Sequence, residues 1–201
     1  NTITIHTENT KLVNELFEKI SGSSQEISGA VFIPEEPEDK SYDHNKEMVF
    51  KFNDLTSKGS FLALRIEGDK ISIDEKIKAL TDELSLDKLN STILDFYQSV
   101  PFWKKINNLE LFKATKNNLL RVVIPPSKGN KLMQYLSNKY KYYVDWCGSL
   151  YWIEIQSKKN TKVREIKNII KELEGYLTII KTSDEYDYEE TIFTVDSTRL
   201  L

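Results

Sequence analysis

Two consecutive strand-like segments joined by small residues set a strong limit on how this chain can fold. They cover residues 140–146 and 149–156, and both are rich in aromatic and β-branched side chains. Cys147, Gly148 and Ser149 lie at the junction, where small residues allow close approach of the backbone. The pattern predicts a hairpin or a bent pair of strands.

The elements around this hairpin complete a recognisable order. A strand pattern covers residues 119–124, helical spacing of apolar residues marks 127–136 and 161–174, and a further strand-like run covers 176–181. The order strand, helix, strand, strand, helix, strand is that of the ferredoxin-like unit, in which two helices cover one face of an antiparallel sheet.

The first half of the chain shows the same elements as far as its second helix. The predicted strands cover residues 2–7, 26–33 and 59–67, and the predicted helices begin at Asn9 and at Ser72. Asn9 is a typical N-cap residue. Ser72 precedes Glu75 by three positions, which is the spacing of a capping box.

We therefore predict an α+β fold made of two tandem ferredoxin-like (βαββαβ) units, which form an antiparallel sheet covered by helices. The first unit spans residues 1–86 with a polar insertion at 34–58, and the second spans 118–201 and includes a C-terminal tail. Residues 87–117 are predicted to be a linker between them.

Three smaller predictions concern the linker, the insertion and the tail. The linker contains a partly helical segment around Ile93, Leu94 and Tyr97. Residues 48–52 are a candidate added strand within the insertion, and residues 193–201 are a candidate start of another helix.

Composition excludes several classes of function. The net charge is -3 and acidic and basic residues are interspersed, so no basic stripe is available to bind nucleic acid. No window approaches the roughly 18 apolar residues of a spanning helix. The single cysteine excludes an internal disulfide and fits a reducing compartment, so we expect a cytoplasmic protein. The chain opens on Asn1, without methionine and directly in a strand pattern, so we expect it to be a fragment, a trimmed chain or part of a longer reading frame.

Two short motifs in the second half resemble the FAD-binding E subunit of glycolate oxidase, in its C-terminal half. Residues 119–126 resemble that family's LxRxxxPP strand, and residues 145–152 resemble its DWxGxLxW strand. Further segments resemble the family in the same order, namely 27–34 (VSGAxxxP), 62–68 (xLRLEG), 101–102 (PF) and 163–181 (VR…GGxxTLxR). The resemblance therefore extends over nearly the entire chain.

The resemblance implies a domain that caps the flavin ring and helps to form the substrate site, while an N-terminal domain binds the flavin pyrophosphate on a glycine-rich loop. This chain has only 7 glycines and no glycine-rich loop between a strand and a helix. FAD is therefore expected only together with a missing N-terminal domain or a partner chain. Leu120 and Cys147 depart from the family's usual Trp and Gly or Ala.

The resemblance also implies candidate site residues. The cofactor-binding candidates are Arg121, Asp145, Trp146 and Gly148, and the substrate-binding candidates are Arg65 and Trp152. An arginine in an apolar strand can hold a carboxylate or a flavin oxygen by two parallel hydrogen bonds. The alternatives are an arginine paired with a neighbouring acid, tryptophans that pack on the sheet, and a structural turn aspartate.

No catalytic residue and no metal site are predicted. His6 and His44 are far apart and lack the spacing of metal ligands. Cys147 lies in an apolar run with no histidine nearby in sequence, so an unreactive thiol is expected.

The leading hypothesis is the cap, or substrate, domain of a glycolate oxidase-like, FAD-dependent 2-hydroxy acid oxidoreductase subunit that is inactive alone. Its expected partners are an FAD-binding domain or other glycolate oxidase-like subunits, and its expected substrate is a small 2-hydroxy acid. The redox chemistry would belong to the flavin. The alternative hypothesis is a non-catalytic ferredoxin-like module that binds a ligand or another protein.

Overall fold

The computed structural model describes residues 1–35, 59–155 and 161–183. The strands in these ranges are β1 (Thr2–His6), β2 (Gly29–Ile33), β3 (Phe61–Arg65), β4 (Ser91–Leu94), β5 (Asn118–Val123), β6 (Lys141–Asp145), β7 (Leu150–Ile155) and β8 (Tyr176–Lys181). The α-helices are α1 (Thr10–Gly22), α2 (Lys70–Leu84), α3 (Phe96–Asn107), α4 (Gly129–Leu136) and α5 (Thr161–Glu172). The candidate strand at 48–52 and the candidate helix at 193–201 lie outside the described residues.

These strands form one antiparallel sheet in the order β4-β1-β3-β2-β6-β7-β5-β8. The predictions of an α+β fold, of an antiparallel sheet and of a β6–β7 hairpin are confirmed. From the central pair β2 and β6 outward, the strands of both halves follow the same order. In each half, that order is the second, the third, the first and the fourth strand. They meet where Phe32 of β2 pairs with Val144 of β6.

One side of the sheet, the four-helix face, is covered by α1, α2, α4 and α5. Strand residues at alternate positions point to this face, and Ile3, Ile5, Tyr151 and Ile153 are fully buried there. The helices contribute apolar residues at helical spacing, including Val13, Leu16, Phe17, Ile20, Leu80, Leu84, Leu132, Met133, Leu136, Val163, Ile166 and Ile170. This cluster runs through both halves of the chain.

The opposite side, the α3 face, is covered at its centre by α3 and the turn that follows. Phe102, Trp103, Ile106 and Phe112 pack there on residues of the central strands, including Val31, Ile33 and Tyr143. The Trp103 indole donates a hydrogen bond to the Thr2 hydroxyl at 2.8 Å. The central strands are therefore buried on both faces, which explains why β2 and β6 consist largely of apolar and aromatic residues.

Strand β4 and helix α3 lie inside the segment that was predicted to be a linker. The expectation of helical character at Ile93 and Leu94 is wrong, because both residues belong to β4 and pair with β1. Four residues are too few to show a period, and the strand forms through pairing with residues about ninety positions earlier in the chain.

The second helix also begins differently from the prediction. Asp69 is the N-cap of α2, and its carboxylate accepts a hydrogen bond from the Ser72 backbone N–H at 3.0 Å. Ser72 is therefore inside the helix, and the predicted capping box with Glu75 is wrong. A capping box is present instead at the start of α3, between Asp95 and Gln98.

Gly175, between α5 and β8, has no space for a side chain. A methyl group there would lie 2.5 Å from Ile124 Cγ2 and 2.7 Å from the Val123 carbonyl oxygen. We predict that Gly175→Ala lowers the free energy of unfolding by about 1–3 kcal/mol through overpacking. Urea unfolding measures this change.

Gly22→Ala is the matched control. Gly22 is the last residue of α1, and a methyl group there would meet nothing within 4 Å. This substitution should change the free energy of unfolding by less than about 1 kcal/mol, and in the stabilising direction, because alanine favours the helix. Equal effects at the two positions would contradict the close packing at Gly175.

Candidate functional site

Arg121 and Trp152 lie side by side on the α3 face, in the half of the sheet that β5 to β8 form. Arg121 of β5 is directly opposite Trp152 of β7 and Thr178 of β8, and Trp152 is opposite Tyr143 of β6. Side chains opposite each other in an antiparallel pair share one face of the sheet. Since Tyr143 packs beneath α3, all four side chains belong to that face.

The Arg121 guanidinium packs against the indole of Trp146. Its Cζ atom lies 5.5 Å from the centroid of the Trp146 ring, within the range of a cation–π contact. Arg121 is half-buried, whereas Trp146 is 59% exposed. No Asp or Glu of the described ranges forms an ion pair with Arg121. The donors of this guanidinium are therefore free of a carboxylate partner within the described part of the chain.

Arg65 contrasts with Arg121. Its Nη2 atom lies 2.7 Å from Glu67 Oε1, and its Cζ atom lies 5.9 Å from the centroid of the Trp103 ring. These contacts agree with the alternative of an arginine paired with a neighbouring acid. Four strand steps of about 4.8 Å separate β3 from β5, so Arg65 is on the order of 20 Å from Arg121. The fold does not bring Arg65 into this site.

Trp146 lies in a turn of unusual backbone conformation between β6 and β7. Trp146, Cys147 and Gly148 have φ values of 49°, 49° and 89°. The left-handed region costs a residue with a side chain roughly 1–2 kcal/mol. Two hydrogen bonds of 2.8 Å hold Trp146 in place, one from its N–H to Asp145 Oδ1 and one from the Ser149 hydroxyl to its carbonyl.

Gly148 and Cys147 point away from Arg121. A Cβ atom on Gly148 would lie 3.1 Å from Phe17 Cδ2, so this glycine lets the turn approach α1 on the four-helix face. Cys147 packs against the core of that face, and burial raises the pKa of its thiol. A raised pKa disfavours the thiolate, which agrees with the expectation of an unreactive thiol.

The structure adds residues to the site that were not among the candidates from sequence. Thr178 is opposite Arg121, and Tyr176 and Ile180 occupy alternate positions of β8 on the same face. Tyr176 is 54% exposed and Ile180 is 48% exposed. Alternation along β8 could have assigned these residues to one face, but only the strand pairing places that face beside Arg121.

Neither a metal centre nor a membrane span is found in the described ranges. No three His, Cys, Asp or Glu side chains among residues 1–35, 59–155 and 161–183 are grouped so that they could hold a metal ion. His44 lies outside these ranges. No helix within them combines the length and the apolar character needed to cross a membrane.

Burial raises the pKa of the Asp145 carboxyl above its ordinary value of 3.8, and the hydrogen bond from the Trp146 N–H offsets only part of this effect. The folded state then binds the proton more tightly than the unfolded state, so the contribution of Asp145 to stability falls as the pH rises through its folded pKa. We predict that Asp145→Asn, which retains the acceptor oxygen, gains stability relative to the wild type as the pH rises above 3.8, the ordinary pKa of the carboxyl. Thermal unfolding of both proteins below and above this pH measures the difference. Parallel pH profiles would contradict the raised pKa.

Comparisons with known proteins do not assign a family. No model of a known protein family matches the chain, and a search of curated proteins gave no match. The functional meaning of the site therefore rests on its own residues and on the short motifs that contain them.

Proposed function

We propose that this chain is the cap, or substrate, domain of a glycolate oxidase-like, FAD-dependent 2-hydroxy acid oxidoreductase subunit. The observation that carries the proposal is the Arg121 guanidinium, which has an indole on one side and no ion pair with any described residue. A half-buried cation of this kind suits the carboxylate of a small acid. The two motifs that resemble the family, one with Arg121 and one with Trp146, are also brought together by the fold.

The strand order supports a finer description of the fold. We infer that each half is a ferredoxin-like unit. In each half, the first strand lies between the third and the fourth, and the second strand is beyond the third. The two units would then be joined edge to edge through β2 and β6.

The described residues suit one end of FAD. Arg121 offers a cation for a carboxylate, and the rings of Trp146 and Trp152 offer flat apolar surface for a flavin ring. The described strand–helix connections contain no glycine-rich loop for a pyrophosphate. The phosphates would therefore be held by another domain or chain. When bound, the flavin would supply the capacity to accept a hydride from the hydroxy acid.

Each residue of the site has a separate role in this proposal. Arg121 would bind the substrate carboxylate through two parallel hydrogen bonds and so orient the hydroxyl-bearing carbon. Its cross-strand neighbour Trp152 is half-buried and would exclude water from one side of the guanidinium.

The proposal includes a cytoplasmic location, which the single cysteine supports.

A second candidate function is a non-catalytic module that binds another protein. It is favoured by exposed aromatic residues at the start of α3, where the Phe96 side chain is 63% exposed and the Tyr97 side chain is 83% exposed. Contiguous exposed apolar surface is typical of interaction sites. Carboxylate binding that depends on Arg121 distinguishes the first function from the second.

We predict that the chain binds glycolate through Arg121. Arg121→Gln should weaken the affinity at least about tenfold, because a hydrogen-bonded charge pair contributes about 1.5–3 kcal/mol. Arg65→Gln is the matched control, since Arg65 already pairs with Glu67, and it should leave the affinity unchanged. Calorimetric titration with glycolate, and with ethylene glycol as a neutral probe, measures these effects. Absence of binding by the wild type, or binding that survives Arg121→Gln, would contradict the proposal.

The isolated chain should not retain FAD. After incubation with FAD and exhaustive dialysis we expect a colourless protein, because the phosphates of the cofactor have no cradle in the described residues. The visible absorbance spectrum is the measurement. Flavin bands that persist would contradict a cap that depends on another domain and would indicate a complete cofactor site.

A further inference from the structure

We infer that Trp146 is a positioning residue for Arg121: the left-handed turn holds the indole over the guanidinium and thereby fixes the N–H donors for a carboxylate ligand. The inference rests on the proposed function, and it gives Trp146 a role that is distinct from contact with a flavin. It follows from the geometry of the pair, from the backbone of the turn and from a comparison with the second arginine–indole pair of the chain.

The pair combines a cation–π contact with N–H donors that form no ion pair with a described acid. The Arg121 Cζ atom lies over the Trp146 ring, 5.5 Å from its centroid. The five N–H donors of a guanidinium lie in its plane, where a carboxylate approaches edge-on. A guanidinium can therefore contact a ring with one face while a carboxylate binds at its edge. Such a contact restricts the rotation of the side chain without using its N–H donors.

The backbone of the turn indicates that the position of the indole is specified. Glycine or asparagine would adopt a φ of 49° more readily than tryptophan does. The turn is held on both sides. Gly148 packs closely against Phe17, and the Trp146 N–H donates a hydrogen bond to Asp145. Trp146 is 59% exposed, so core packing does not account for its position. Its ring contacts the Arg121 guanidinium.

The second arginine–indole pair, Arg65 with Trp103, is an example of such a pair with a structural role. The Trp103 ring near Arg65 is 4% exposed, and its N–H donates to the Thr2 hydroxyl. Arg65 is neutralised by Glu67. In the other pair Trp146 is exposed, and no described acid forms an ion pair with Arg121. The Arg65 pair therefore provides an internal reference within the same protein.

Trp146→Leu and Trp146→Phe test the inference as a pair. Both keep a side chain at the strained position, but only phenylalanine keeps an aromatic face. The Arg121 Nε–Hε signal of the ligand-free, ¹⁵N-labelled chain should show increased mobility in Trp146→Leu and remain close to wild type in Trp146→Phe. The Arg65 signal should be unchanged in both variants. Glycolate affinity should fall about two- to fivefold in Trp146→Leu and be largely retained in Trp146→Phe.

The two measurements, the Arg121 signal of the ligand-free chain and the glycolate affinity, separate this inference from the proposed function. An Arg121 signal that is unchanged in ligand-free Trp146→Leu would overturn the inference, whether or not glycolate binds. Equal losses of affinity in the two variants would also overturn it, because they would indicate general packing. A mobile Arg121 in Trp146→Leu, together with a wild type that does not bind glycolate, would leave the contact supported and remove the proposed function.

Discussion

The pairing of β2 with β6 is the constraint on which the rest of the structure depends. Once the two halves share a sheet, their inner strands become central and need cover on both faces. The helices of each half cover the four-helix face, but none of them covers the other face. Helix α3 and the turn after it provide that cover with Phe102, Trp103, Ile106 and Phe112. The segment between the halves thus completes the core.

The candidate site lies where the cover provided by α3 ends. Along one row of the sheet, Ile33 and Tyr143 are buried, and the Tyr143 hydroxyl donates to the Ile106 carbonyl at 3.3 Å. The next residues of that row, Trp152 and Arg121, are half-buried. A long cationic side chain is stable at such a boundary because its stem packs on apolar surface while its charged end reaches water. The boundary therefore leaves the charge of Arg121 accessible.

Features set by local periodicity could be predicted from the sequence. Asn9 and the spacing from Leu12 to Ile20 define α1 without tertiary contacts, and the apolar run before Lys181 defines β8. Features that depend on distant pairing could not be predicted, and β4 is the clearest case. The sequence also could not predict on which face of the sheet Gly148 lies. Residues with positive φ interrupt the alternation of side chains along the strand there. At the site, motifs grouped Arg121 with Trp146, while the separation of Arg65 and the adjacency of Thr178 required the strand order.

Among residues 1–35, 59–155 and 161–183, strand pairing is almost entirely confined within each half, and this has a kinetic consequence. Of the described strands, β1, β3 and β4 pair only among themselves and with β2, while β5, β7 and β8 pair only among themselves and with β6. A molecule in which one half has folded first exposes β2 or β6 as an open edge, and both strands are rich in apolar residues. Such edges readily pair with another chain. The junction that unites the sheet is thus also the place where two molecules could exchange halves during folding, and its closure covers both open edges.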